Sequence, residues 1–204
     1  VVREPLGVCG AVIPWNMPVL ILGWKVGPAL LAGNTLVVKP ASTTPLTSLR
    51  LAAILDAAGL VPGTLNMVTG TGEEAGEALV SHPGVRKISF TGNCATGARV
   101  RERARGKELI LELGGSDPMI VMDDADIRKA VEGAVRGRFY NAGQTCTAVK
   151  RLFVHETIAP EFIRVLKERV AALNVGNGLG PKTDMGPLNS AAQRDRIAGA
   201  VETA

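Results

Sequence analysis

A chain of 204 residues is long enough for one or two compact domains, and its 46% hydrophobic and 21% charged residues argue against disorder. A net charge of +4 with only 3% aromatic residues gives no basic, aromatic-laced surface for nucleic acid. No apolar run reaches the roughly 18–20 residues that a membrane span needs.

The elements follow in chain order. Gly7 to Ile13 reads as a strand and residues 14–18, with prolines at both ends, as a loop. Leu20 to Leu31 reads as a buried helix closed by Gly33-Asn34. Thr35 to Lys39 is a strand. Thr44-Pro45 reads as a cap followed by proline at the first helical position, opening a helix that ends at Gly59. Leu65 to Val68 is a strand, and Gly70 and Gly72 turn into a helix at Glu73. Lys87 to Thr91 is a strand, residues 95–105 a helix and Glu108 to Leu113 a strand. After Gly114-Gly115 the pattern restarts with a strand at 119–121, a helix at 127–141 and a strand at 151–155. Thr157 is expected to cap a helix running to about Leu173. A Gly/Pro loop spans 176–188, and a last helix follows Ser190.

Strand, turn and helix in this rhythm predict an α/β fold with a parallel sheet and helices on both of its faces. The glycine pair is the expected domain boundary, giving units 1–114 and 115–204. The chain begins without Met and stops inside a predicted helix, so a piece of a longer protein is expected. No signal-peptide pattern is read. Three widely spaced cysteines without a Cys-x-x-Cys pair suit a reducing cytoplasm rather than a disulfide scaffold or a zinc ribbon.

Three residues carry candidate chemistry. Cys146 follows Gly143, Gln144 and Thr145 just past a predicted helix end. That polar setting suits an accessible nucleophile, the alternative being a small core filler. Glu112 lies among Ile110, Leu111 and Leu113 at a strand end, where ligand sites of parallel sheets lie. Apolar neighbours favour a carboxylate as general base, and the alternative is an exposed strand-end Glu. Asn16 sits in a loop stiffened by Pro14 and Pro18, either as a turn former or as a fixed amide donor for a developing oxyanion. Lys39-Pro40-Ala41-Ser42 and Phe90-Thr91-Gly92-Asn93 each follow a strand, where phosphate and ribose groups bind. His82 and His155 have no partner at metal-ligand spacing and read as structural, and no metal site is expected. Cys9 reads as core, and Cys94 takes no role.

These segments together resemble the aldehyde dehydrogenase superfamily. Pro14-Trp15-Asn16-Met17-Pro18, Lys39-Pro40-Ala41-Ser42, Phe90-Thr91-Gly92, Glu112-Leu113-Gly114-Gly115 and Gly143-Gln144-Thr145-Cys146 occur in the family's order at about its spacings. The likeness is greatest to the succinate-semialdehyde branch. It implies a Rossmann-like cofactor domain followed by the start of a catalytic domain. It also implies oxidation of a small-molecule aldehyde to a carboxylic acid through a thiohemiacetal and a thioester on Cys146. Asn16 and the Cys146 backbone N–H would hold the oxyanion, and Glu112 would activate water.

The NAD(P)+ contacts implied are Ile13, Pro14, Trp15 and Asn16 in one loop, with Lys39, Ala41 and Ser42 in the next. Gly72, Phe90, Thr91, Gly92, Asn93, Thr96 and Leu113 complete them. Asn93 stands where the family has Ser. Ser42 replaces the acidic residue of strictly NAD-dependent members, so NADP is expected to be accepted. A homo-oligomeric parent, dimer or tetramer, is expected, with no nucleic-acid or membrane partner. Two other readings stay open: a CoA-acylating relative, against which Glu112 speaks, and a non-catalytic derivative, against which the intact Cys146, Glu112 and Asn16 speak.

Overall fold

The computed structural model describes residues 2–203. The chain divides after Gly114 into two compact units.

In the first unit, β1 (Val8–Val12), β2 (Thr35–Lys39), β3 (Leu65–Met67), β4 (Lys87–Thr91) and β5 (Glu108–Glu112) form one sheet in the order β3-β2-β1-β4-β5. Every pairing is parallel. The chain winds outward from β1 to β3, then returns to the other edge of β1 for β4 and β5. Ligands of open parallel sheets bind where the winding reverses, outside the carboxyl ends of the strands. Here that place lies beyond Val12 and Phe90, which face each other in the β1–β4 register.

Period-two alternation gives the sheet two apolar faces. Cys9, Ala11, Ile13, Leu36 and Val38 pack with Ile21, Leu22 and Val26 of α1 (Pro18–Leu31) and with partly buried leucines of α2 (Leu46–Ala57). Ile88 and Phe90 pack on the opposite side with Leu79 and Val80 of α3 (Glu77–Ser81) and Val100 of α4 (Cys94–Arg103). Helices therefore cover both faces, as the strand-helix rhythm predicts.

Several boundaries move for identifiable reasons. Pro18, expected in the loop, is the first residue of α1, where its missing N–H costs nothing. Thr44 does not cap α2; Pro45 takes the cap position, and the Thr44 hydroxyl donates to the carbonyl of Trp15 at 3.1 Å instead. The helix expected at Glu73 begins as one wide π-helical turn, Gly72–Gly76, whose N–H at Glu74 is accepted by the Thr71 hydroxyl.

The second unit pairs β6 (Asp117–Val121) in parallel with β7 (Val149–Val154). The register shifts between Asp117 and Pro118, which lets a proline sit in a strand. Val131, Ala134 and Val135 of α5 (Ile127–Phe139) pack with Val121 and with Phe162 of α6 (Ala159–Ala171). α5 ends two positions before the expected Asn141. Thr157 does not cap α6 either: Ile158 occupies that position, and the Thr157 hydroxyl bonds His155 Nδ1 at 2.9 Å. α7 (Ala191–Glu202) is capped by Ser190, as its sequence indicates. Among the described residues no helix is long and apolar enough to cross a membrane.

Candidate functional site

Two loops at the carboxyl ends of β1 and β2 are tied together. The Ile13 N–H donates to the Lys39 carbonyl at 3.2 Å, and the Thr44 hydroxyl fixes the Trp15 carbonyl. Asn16 is half-buried in the loop so held. Ile13 itself points into the core at 2% exposure, so only its backbone is available to a ligand. Lys39 is also turned inward. Its ammonium donates to the carbonyls of Pro40 at 2.8 Å and Gly70 at 3.1 Å, which take two of its three donors. Burial pushes its pKa down, opposed by Glu73. The expected reach of Lys39 toward ribose or phosphate is therefore confined to one donor, while Ser42 is exposed beside half-buried Ala41.

The β4–α4 turn forms the other side. A Cβ on Gly92 would stand 2.5 Å from Cζ of the buried Phe90 ring, so only glycine permits this close approach. The Asn93 side chain caps α4 by accepting from the Thr96 N–H at 2.8 Å. A cavity of about 210 Å³ lies beside this turn, lined by Val12, Val80, Phe90 and Val100, by Gly72 and Thr96, and by Glu73, Glu77, Arg99 and Arg103. Its arginines are internally paired, with Glu77 bridging Arg99 at 2.8 Å and Arg103 at 3.3 Å. The cavity brings together Gly72, Phe90 and Thr96 from the sequence-predicted set. The loop residues 13–16 and 39–42 and Leu113 do not line it. Leu113 packs instead against the Phe90 cluster.

Glu112 pairs with Thr91 across β4 and β5, and its carbonyl accepts from the Gly92 N–H at 3.0 Å. Its side chain is exposed. Leu111 and Leu113 turn to the opposite face and pack there, so the apolar neighbours read from the sequence do not surround the carboxylate. Sequence reasoning missed Lys25. This α1 lysine is 8% exposed and donates to Ser89 Oγ at 2.8 Å. Burial lowers its pKa to about 8, and the charge of Glu112 acts in the opposite direction.

Cys146 lies in the second unit, on the turn between α5 and β7. It is exposed and free, which removes the core-filler reading. Asn141 and Ala142, with φ of 51° and 55°, adopt left-handed backbone ahead of it. Each costs about 1–2 kcal/mol for a non-glycine residue. The Gln144 side chain donates to the Asn141 carbonyl at 2.9 Å and accepts from the Asn189 N–H at 2.8 Å. The Lys150 ammonium donates to the Cys146 carbonyl at 2.7 Å.

The model of the aldehyde dehydrogenase family matches residues 1–204. The chain belongs to this family. Aldehyde dehydrogenase 1A1 of Mus musculus is 47% identical over 98% of the chain, and betaine aldehyde dehydrogenase 2 of Rhizobium meliloti is 48% identical over 96%. The chain spans 41% of the length of each of these relatives. Among solved structures, PnpE from Pseudomonas sp. WBC-3 is 43% identical, with a TM-score of 0.93 over 98% of this chain and 42% of its own. A PnpE structure in complex with nicotinamide adenine dinucleotide superposes with a TM-score of 0.94. Both structures share the fold of the chain.

The Lys25 geometry yields a pH-dependent outcome. Its pKa falls from the ordinary 10.5 to about 8 on folding, so between these values the unfolded chain holds a proton that the folded chain has released. Stability therefore rises with pH across that window. Lys25→Met should flatten the rise, measured as urea midpoints at pH values from 8 to 10.5.

Proposed function

We propose that the protein oxidises an aldehyde to a carboxylic acid with NAD(P)+, with Cys146 as nucleophile, Glu112 as general base and Asn16 as oxyanion donor. The observation that carries this reading is the exposed Cys146 thiol, presented on a hydrogen-bonded turn in a chain of the aldehyde dehydrogenase family.

The Cys146 thiolate attacks the carbonyl carbon and forms a thiohemiacetal. The Asn16 amide and the Cys146 backbone N–H donate to its oxyanion, which develops charge only as the bond forms. When bound, NAD(P)+ would supply the acceptor for the hydride that leaves that carbon. Glu112 then takes a proton from water as the water attacks the Cys146 thioester, and the thiolate departs from the acid product. Exposure keeps Glu112 open to the water it must deprotonate. The residues that would hold the cofactor are Lys39, Ala41 and Ser42, the backbone of the 13–16 loop, the Phe90–Asn93 turn with its cavity, and Leu113.

Relatives named for betaine aldehyde and for retinaldehyde are 48% and 47% identical to this chain, so overall identity does not select the aldehyde. The motif likeness to the succinate-semialdehyde branch makes a small semialdehyde the first substrate to test in a panel. Three free cysteines fit a reducing, cytoplasmic setting. The resemblance also favours a homo-oligomer.

In the full-length enzyme, Cys146→Ala should lower aldehyde turnover by roughly 10³-fold or more while cofactor binding persists, read by cofactor absorbance and by equilibrium titration. Wild-type turnover in this variant would refute the nucleophile assignment. Glu112→Gln should give a rapid single equivalent of reduced cofactor and then stall at the thioester; stopped-flow traces without a stall would remove Glu112 from the mechanism. NADP should serve at least as well as NAD, because Ser42 is exposed and brings no negative charge against a 2′-phosphate. A carboxylate placed there costs on the order of 1–4 kcal/mol against that phosphate, so Ser42→Glu should shift the kcat/KM ratio toward NAD by roughly 10-fold or more. An unchanged ratio would show that Ser42 faces away from the cofactor.

A further inference from the structure

The two ends of the segment that carries Cys146 are tied to α5 by one side chain. Arg138, half-buried in the last turn of that helix, sends Nη1 to the Val149 carbonyl at 3.1 Å and Nη2 to the Gly143 carbonyl at 3.1 Å. These two carbonyls stand at the two ends of the stretch 143–149, with Cys146 in its middle. The planar guanidinium aims both donors at once from a rigid fork, which the single point charge of lysine does not do. Bonds from a charged donor are also the stronger kind.

The approach is tight. Gly143 has φ +72°, and a Cβ there would fall 2.3 Å from Arg138 Nη2 and 2.9 Å from the Arg138 carbonyl. Gly143 closes a run of three left-handed residues begun by Asn141 and Ala142. Such backbone persists only where its surroundings over-determine it. The surroundings here include α5, seated in the core through Val131, Ala134 and Val135, Arg138 projecting from it, and the Gln144 side chain on the Asn141 carbonyl. Of the residues from 143 to 149, only Ala148 is fully buried, so core packing fixes little of the stretch.

We propose that Arg138 is a positioning residue: it holds both ends of the Cys146 turn to α5 and so sets where the thiolate meets the aldehyde. This inference rests on the reading of Cys146 as nucleophile. Arg138 does not touch the reacting atoms; it acts through the backbone.

The test uses Arg138→Met and Arg138→Lys in the full-length enzyme, with kcat, the first-turnover rate and the KM for cofactor measured per folded subunit. Misplacing a reacting group by about an ångström costs up to ~100-fold, so Arg138→Met should lower kcat and the first-turnover rate together by about 10- to 100-fold, with the cofactor KM within about twofold. Arg138→Lys, which keeps the charge and can satisfy one carbonyl, should recover part of that loss. It carries the same test if Arg138→Met does not fold, with a fall of about threefold or more expected. A purely structural arginine would lower yield and melting temperature but leave the rates per folded subunit unchanged, and that result would overturn the proposal. Full turnover by Cys146→Ala would instead overturn the nucleophile reading itself, whatever the Arg138 variants do.

Discussion

β1 is hydrogen-bonded along both edges, to β2 from Val8–Thr35 to Val12–Lys39 and to β4 from Cys9–Lys87 to Val12–Phe90. Everything assigned to the first unit is referenced to this strand. Because both neighbours run parallel to it, three carboxyl ends lie side by side, and three loops leave from the same rim. One carries Asn16, one Lys39 to Ser42, and one Phe90 to Asn93. An antiparallel neighbour on either edge would send one of those loops to the opposite end of the sheet. Burial keeps the strand in place, with Cys9, Ala11 and Ile13 at 5%, 0% and 2% exposure.

A second regularity appears in both units: cations satisfy backbone carbonyls of irregular segments. Lys39 serves Pro40 and Gly70, Arg138 serves Gly143 and Val149, and Lys150 serves Cys146 and Ala148. Loops that leave a sheet have carbonyls without ladder partners, and a long basic side chain reaches them from a neighbouring element. Lys25 differs, since its partner is the hydroxyl of Ser89.

The sheet was legible in the sequence because apolar runs bounded by glycine and proline mark strands whatever the distant contacts. The run from Lys87 to Thr91 is an example, and its observed bounds coincide with the expected ones. The caps at Thr44 and Thr157 were misread because a threonine before a helix has two outlets for its hydroxyl. Tertiary partners, the Trp15 carbonyl and the His155 ring, took them. The left-handed run was invisible, since the helical reading runs through Asn141 and only Gly143 hints at a turn. Lys25 and Arg138 escaped for the same reason. A lone basic residue in a helix reads as a solvated charge until the fold shows what it faces. The candidate site was legible as residue types in order. Its bracing was not, because bracing depends on contacts between segments remote in sequence, such as Lys25 with Ser89.

The strand β5 lies at one edge of its sheet, and on one face it exposes Ile110, at 43%, between Glu108 and Glu112. A bare edge strand bearing an apolar side chain is the kind of template on which a second chain can add itself and begin to aggregate. Glu108 on the same face is paired with Lys87 at 3.4 Å, which leaves the Glu112 carboxylate to oppose this, since a second copy stacked in register would set like charges against each other there. The carboxylate proposed as the general base thus also sets a negative charge beside that isoleucine.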